Sequence, residues 1–206
     1  MHLTSYLSRN HGSKHPGFTL SEVLISLVII GLLATFVIGK VLHNLEEAGY
    51  RTALKEAEAV IQSVAHEAYM EGYTGHRFNY YRSKVNTTKV CLHPHGVTQG
   101  CMVVPEGFSN AEYREGALVL PSGVTIGGIN THISNHWMFS GTDGWRIDLN
   151  GTKPPNVEGV DILRWRAPEF NASGQIHNCD GSRRLGCPDL NHAPSVARYN
   201  QLMGLQ

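Results

Sequence analysis

The chain has no charge bias, since 17 lysines and arginines meet 17 aspartates and glutamates. Such a balance supplies no bulk field to draw the protein to nucleic acid, and nothing else indicates that partner. Catalytic signatures are also missing. None of G-x-S-x-G, H-E-x-x-H, a phosphate-binding P-loop or G-x-G-x-x-G occurs in the 206 residues, so we expect no enzyme. Cysteine is scarce: there are four, without a C-x-x-C pair, which argues against a four-thiolate zinc site. A second long apolar run is absent as well, so the sequence predicts one membrane-crossing helix.

That helix begins in "GFTLSEVLISLVIIGLLATFVIG", residues 17 to 39. From Val23 to Gly39 nothing is charged. Residues 18 to 39, at about 1.5 Å per residue, match a hydrocarbon core of about 30 Å. A secretory signal has a shorter apolar core followed by a small-residue cleavage site, and "GKVLHNLEE" offers no such site. The polar stretch 1–17 reads instead as a leader. Its loss would remove Arg9 and Lys14 and no acid, leaving a slightly acidic chain. Glu22 is the anomaly, because a carboxylate at the mouth of an apolar run asks for a partner.

These residues carry a resemblance. Gly17, then Phe18, Thr19-Leu20, Glu22 at the fifth position after Gly17, and Gly31-Leu32-Leu33-Ala34 together resemble the prepilin signature of type IV pilins and pseudopilins. The resemblance implies cleavage between Gly17 and Phe18 by a membrane aspartic peptidase, with N-methylation of the new Phe18 amine. It implies that Glu22 pairs in a filament with the Phe18 amine of a neighbour or of its own chain. A buried ion pair needs both partners, so the pair would set axial register. The plainer alternative is a carboxylate that complements the helix dipole. Many members have proline where this chain has Gly39. The implied partners are copies of the chain, other pilin-like subunits, the prepilin peptidase, an inner-membrane assembly platform and the membrane itself. The implied location is the cytoplasmic membrane with the head outside, then a periplasmic or surface filament.

After the span, Leu54, Ala57, Val60, Ile61, Val64, Ala65, Ala68 and Tyr69 recur at helical spacing. Glu47 and Arg51 stand four apart in the favourable order. Gly72 suits a helix stop. One helix from about Phe18 to Gly72 is therefore expected. Beyond it, "TKVCL", "CMVV", "ALVL", "VTIGGI", "HWMF", "WRIDL" and "VDILRW" read as short strands, with a hairpin turn at "GTDG", 141–144. The expected fold is α+β: a long helix packed on a small antiparallel sheet, with 76–117 mostly loop. The expected divisions are a leader at 1–17, a membrane and filament-core helix at 18–39, its amphipathic continuation at 40–72 and a β-rich head at 73–206.

All four cysteines fall in that head, which suits disulfides in an oxidising compartment. The local pairs Cys91–Cys101 and Cys179–Cys187 are expected over the other two connectivities. Twelve histidines are present. His93, His95, His177 and His192 lie near cysteines, but scattered surface histidines are the commoner arrangement. Ser122, Ser134 and Ser140 with His132 and His136 make a hydrolase site only on paper.

The stretch "WRIDLNGTKPPNVEGVDILRW" resembles a C-terminal region of several pilins and major pseudopilins. In some pseudopilins the corresponding loop binds calcium. Asp148, Asn150, Asn156 and Asp161 supply suitable oxygens, although the spacing is not that of an EF-hand. Asx turns use the same side chains, and we expect those first and calcium second. The functional expectation is a structural pilin subunit. A type II secretion pseudopilin is the alternative, and a membrane-tethered enzyme or metal-binding module is the third.

Overall fold

A computed structural model describes residues 17–73, 77–92, 97–108, 116–129, 145–166, 169–170, 176–177 and 187–205. The chain divides into two compact units, Met1–Asn44 and Leu45–Gln206. Helix α1, Leu20–Met70, runs through both.

Between Val23 and Gly39 α1 carries no charge on any side. Every residue from 17 to 39 is exposed except half-buried Ala34. By length and composition this part can cross a membrane. The second part of α1 is amphipathic, and its expected stripe is the observed one. Leu54, Ala57, Ile61, Val64, Ala65 and Ala68 are buried, joined by Tyr50 and Ala53. Val60 lies only partly in this core, and Tyr69 faces outward. The helix closes as expected at Gly72, whose φ of 63° is left-handed. There the amide of Gly72 donates to the Tyr69 carbonyl and that of Tyr73 to Ala68, the paired bonds of a Schellman stop.

The second unit holds a six-stranded antiparallel sheet. Its strands are β1 (Lys89–Cys91), β2 (Gly116–Val119), β3 (Thr125–Ile129), β4 (Trp145–Asp148), β5 (Ile162–Arg166) and, after a two-stranded ribbon of β6 (Glu169–Phe170) and β7 (Ile176–His177), β8 (Cys187–Pro188). The order is β1-β2-β3-β4-β5-β8. One face of the sheet packs on the α1 stripe. Leu118, Ile126, Trp145, Ile147, Leu163 and Trp165 share a core with Leu54 and Ile61. The expected helix cover is thus present, but the opposite face is covered as well at its centre, where Ala117, Thr125, Arg146, Asp148 and Ile162 are buried.

Three expectations need correction or restriction. "CMVV" forms no strand, although Cys101 and Met102 are buried in a small second cluster with Cys91 and Ala117. Residues 77–84, expected as loop, form helix α2, whose Tyr81 meets Trp145 edge-on with ring centroids 4.9 Å apart. A third helix, α3 (Ala193–Met203), was not expected at all. "HWMF" and the "GTDG" turn lie outside the described residues. Cys91 and Cys101 are bonded to each other. Cys187 is also disulfide-bonded, and Cys179, its expected partner, lies outside the described residues.

Candidate functional site: the processing junction and the Asp148–Asp161 loop

The amino-terminal site is built by a capping exchange. Thr19 stands just before α1 and Glu22 lies in its first turn. The Glu22 carboxylate accepts the Thr19 amide at 2.8 Å and the Thr19 hydroxyl at 2.7 Å. In return the Glu22 amide donates to Thr19 Oγ1 at 3.3 Å. Reciprocal bonds between a threonine and a glutamate three residues on make a capping box, which satisfies amides that a helix start leaves unpaired. Gly17 and Phe18 therefore sit outside the helix, and Phe18 is 88% exposed. The peptide bond between them is exposed. Within the chain Glu22 has a local partner in Thr19, a residue that sequence reasoning did not single out for this role. The T-x-x-E spacing before an apolar run was the available signal.

The second constellation lies where β4 ends and a loop runs to β5. Asp148 Oδ1 accepts the Asn150 amide at 3.2 Å, an Asx turn. Asp161 accepts the amides of Asn156 and Val157 at 2.8 and 2.7 Å. Asn150 Nδ2 donates to the Pro154 carbonyl and the Tyr50 hydroxyl, tying the loop to α1. The expected turn chemistry is thus present. It is not the whole of the site. Four buried oxygens lack a hydrogen-bond partner among the described residues: Thr125 Oγ1, Asp148 Oδ2, Asn150 Oδ1 and Asn156 Oδ1.

Thr125 stands opposite Asp148 in the β3–β4 register, and it was not among the residues the sequence suggested. Asp148 and Asp161 are both fully buried. Burial, and then the charge of Asp161, pushes the Asp148 carboxyl up to about 8. Two carboxyl groups, a hydroxyl and two amide oxygens are hard, all-oxygen donors, a chemistry that suits calcium better than zinc or copper. Among the described residues no group of three or more His, Cys, Asp and Glu side chains gathers as a metal site. Any cation here would rest on the neutral oxygens as much as on the acids.

Beside this loop Glu158 joins three elements. Its carboxylate lies 3.4 Å from Arg146 Nε, 2.8 Å from Arg164 Nε and 3.5 Å from His192 Nε2. His192 Nδ1 in turn lies 2.7 Å from Ser195 Oγ. The order serine, histidine, acid is that of a hydrolase triad. Ser195, however, is completely buried and its hydroxyl accepts the Arg164 amide, so no substrate can reach it. His93, His95, His132, His136, Ser134 and Ser140 lie outside the described residues, as does the side chain of His177.

Residues 12–38 match the family described as the prokaryotic N-terminal methylation motif. The chain thus carries the prepilin-type signature of type IV pilins and pseudopilins, and the match covers both Gly17–Phe18 and Glu22. No curated protein and no solved structure matches the chain.

Proposed function

We propose that the chain is a prepilin-type structural subunit, cut between Gly17 and Phe18, methylated on the new Phe18 amine and packed into a helical filament. The observation that carries this reading is the methylation motif at 12–38 lying over an exposed apolar helix. The chain enters the cytoplasmic membrane once, with residues 1–17 inside and the unit from Leu45 outside. An inner-membrane assembly platform then draws it out of lipid, and neighbouring copies or other pilin-like subunits replace lipid around residues 18–39. Processing breaks the Thr19-capped arrangement open on one side, because it creates a cationic amine one residue from Thr19. Glu22 can then exchange its Thr19 bonds for that amine, in its own chain or in a neighbour. In apolar surroundings only the paired state is tolerable, so the exchange selects one axial register.

A type II secretion pseudopilin is the second reading. The unsatisfied oxygens around Asp148 and Asp161 favour it, since they suit the calcium expected of that loop in some pseudopilins. In that reading Thr125, Asp148, Asn150, Asn156 and Asp161 hold the ion, which would displace the proton on Asp148 and fix the loop.

Intact-mass and amino-terminal analysis of the chain from cells expressing the processing peptidase tests the proposal. A start at Phe18 with one added methyl is expected. A chain still beginning at Met1, beside a control substrate that is cut, overturns it. Long surface filaments containing the chain then favour a pilus, and a secretion defect without filaments favours the pseudopilin.

A further inference from the structure

His192 is the amino-terminal cap of α3, and its ring faces donors on one side. Nδ1 accepts the Ser195 amide at 3.3 Å and lies 2.7 Å from Ser195 Oγ. That hydroxyl already accepts the Arg164 amide at 2.8 Å, which leaves its proton for Nδ1. An amide can only donate, so Nδ1 must be the bare nitrogen and Nε2 carries the proton towards Glu158. The tautomer is fixed by its neighbours.

We propose that His192 is an acid-sensitive latch, holding the start of α3 only while Nδ1 is unprotonated. A second proton would turn Nδ1 from acceptor to donor. The Ser195 N–H would keep only the His192 carbonyl as an acceptor, at 3.0 Å, and the Ser195 hydroxyl would have to surrender its own bond to the ring and accept one instead. It would also place a cation at the positive end of a helix. The charged groups around the ring are Arg146 of β4, Arg164 of β5, Glu158 of the preceding loop and Asp189 before the helix. Glu158 favours the imidazolium, but it is already shared by both arginines. Burial first, and then Arg164, lower the His192 pKa below its usual value.

The sign follows from linkage. A histidine with a depressed folded pKa contributes stability that is complete above the unfolded value, about 6.5, and is lost as pH falls below it. What is released is the carboxy-terminal helix. Its inner face carries Tyr199, edge-on to Trp165 at 5.8 Å. It also carries Arg198, which forks onto Glu47 of α1 with two bonds of 2.9 Å. Acid therefore acts at one ring and loosens the tie between α3 and α1. His192 and its partners all lie within one chain, so the latch needs no filament and is independent of the proposed function.

Amide exchange on the full chain in detergent micelles, at pH 7.5 and 5.5, tests it. Rates are corrected for intrinsic exchange and referred to β4 amides. Opening of α3 should rise roughly fivefold in acid, the size of a lost cap. His192→Asn supplies a capping oxygen that does not titrate in this range, and its α3 should open equally at both values. An acid response as large in the variant as in the parent overturns the latch, and so does no response in the parent. Should the variant not fold, ring titration of His192 by NMR in the parent decides. A midpoint below 6.5 supports the latch, and one at or above it overturns it.

Discussion

Thr19 and Glu22 show how one carboxylate can serve two states of a chain. In the intact chain Glu22 is held by Thr19 within the first turn of α1. The proposed cleavage would place a cation at Phe18. Thr19→Ala removes the hydroxyl half of the box and should cost the helix start about 1 kcal/mol, visible as faster exchange of the amides at 19–22. Glu22→Ala should leave membrane insertion unchanged, since it removes a charge from the lipid side, while lowering recovery of the chain in filaments. Fractionation of membrane and sheared filaments checks both, and equal incorporation of the alanine variant would remove the register role. At the other end, Arg198 is a single residue on which three elements converge. It bonds Glu47 twice, donates to the Val160 carbonyl at 2.8 Å and lies over the Tyr50 ring. Arg198→Met should cost about 2 kcal/mol, less than for a fully buried pair because Glu47 keeps some contact with water. A urea titration of the full chain reads this directly. Adding Glu47→Gln to it should then cost little more.

Elements differ in how far their sequences reveal them. The stripe from Leu54 to Ala68 and the alternating strands were legible because each places its apolar residues at a period of 3.6 or 2. The burial of Arg146 and Asp148 on the other face of the sheet was not. Helix α3 was missed although its signs are present. Pro194 lies in its first turn, Ser195, Arg198, Tyr199 and Leu202 face inward, and Gly204 closes it with a φ of 70°. Its cap is a histidine, which is not a usual capping residue, and its inward face holds a serine and an arginine. Both are buried through partners distant in the chain, and no local pattern announces them. Helix α2 is polar, with buried tyrosines rather than aliphatic residues, so it reads as loop. Glu47 was matched with Arg51 by spacing, yet its carboxylate goes to Arg198, 151 residues away.

The loop after β4 was recognised by its acids and amides, while Thr125 was not, because strand register brings it there. That loop also depends on Gly151. Its φ is 67°, and a Cβ there would lie 2.6 Å from the Gly123 carbonyl oxygen. Gly151→Ala should therefore destabilise the fold by about 2 kcal/mol, from both the left-handed backbone and the contact. An unchanged urea midpoint would mean the β3 turn can yield.

For the molecule as a whole, a cation at this loop would matter through where the loop sits. Asn150 touches Tyr50, and Tyr50 bonds Glu46 one turn earlier on α1 at 2.9 Å. The Tyr50 hydroxyl is itself pushed up to about 12, by burial and then by Glu46, so it stays neutral and can donate. The loop, the sheet and α1 thus meet at one buried polar junction. A cation that took the place of the proton on Asp148 would strengthen all three together, as any ligand of the folded state does. With calcium at about a hundred times its dissociation constant, linkage gives about 2.7 kcal/mol. The full chain in micelles should then unfold at higher urea in millimolar calcium than in chelator. Asp161→Asn should abolish that difference while keeping one of the two capped amides, since its single amide oxygen can still accept one of them. Identical midpoints with calcium and with chelator would leave the unsatisfied oxygens to water. The favour they lend to the pseudopilin reading would then be gone, with the prepilin signature at 12–38 untouched.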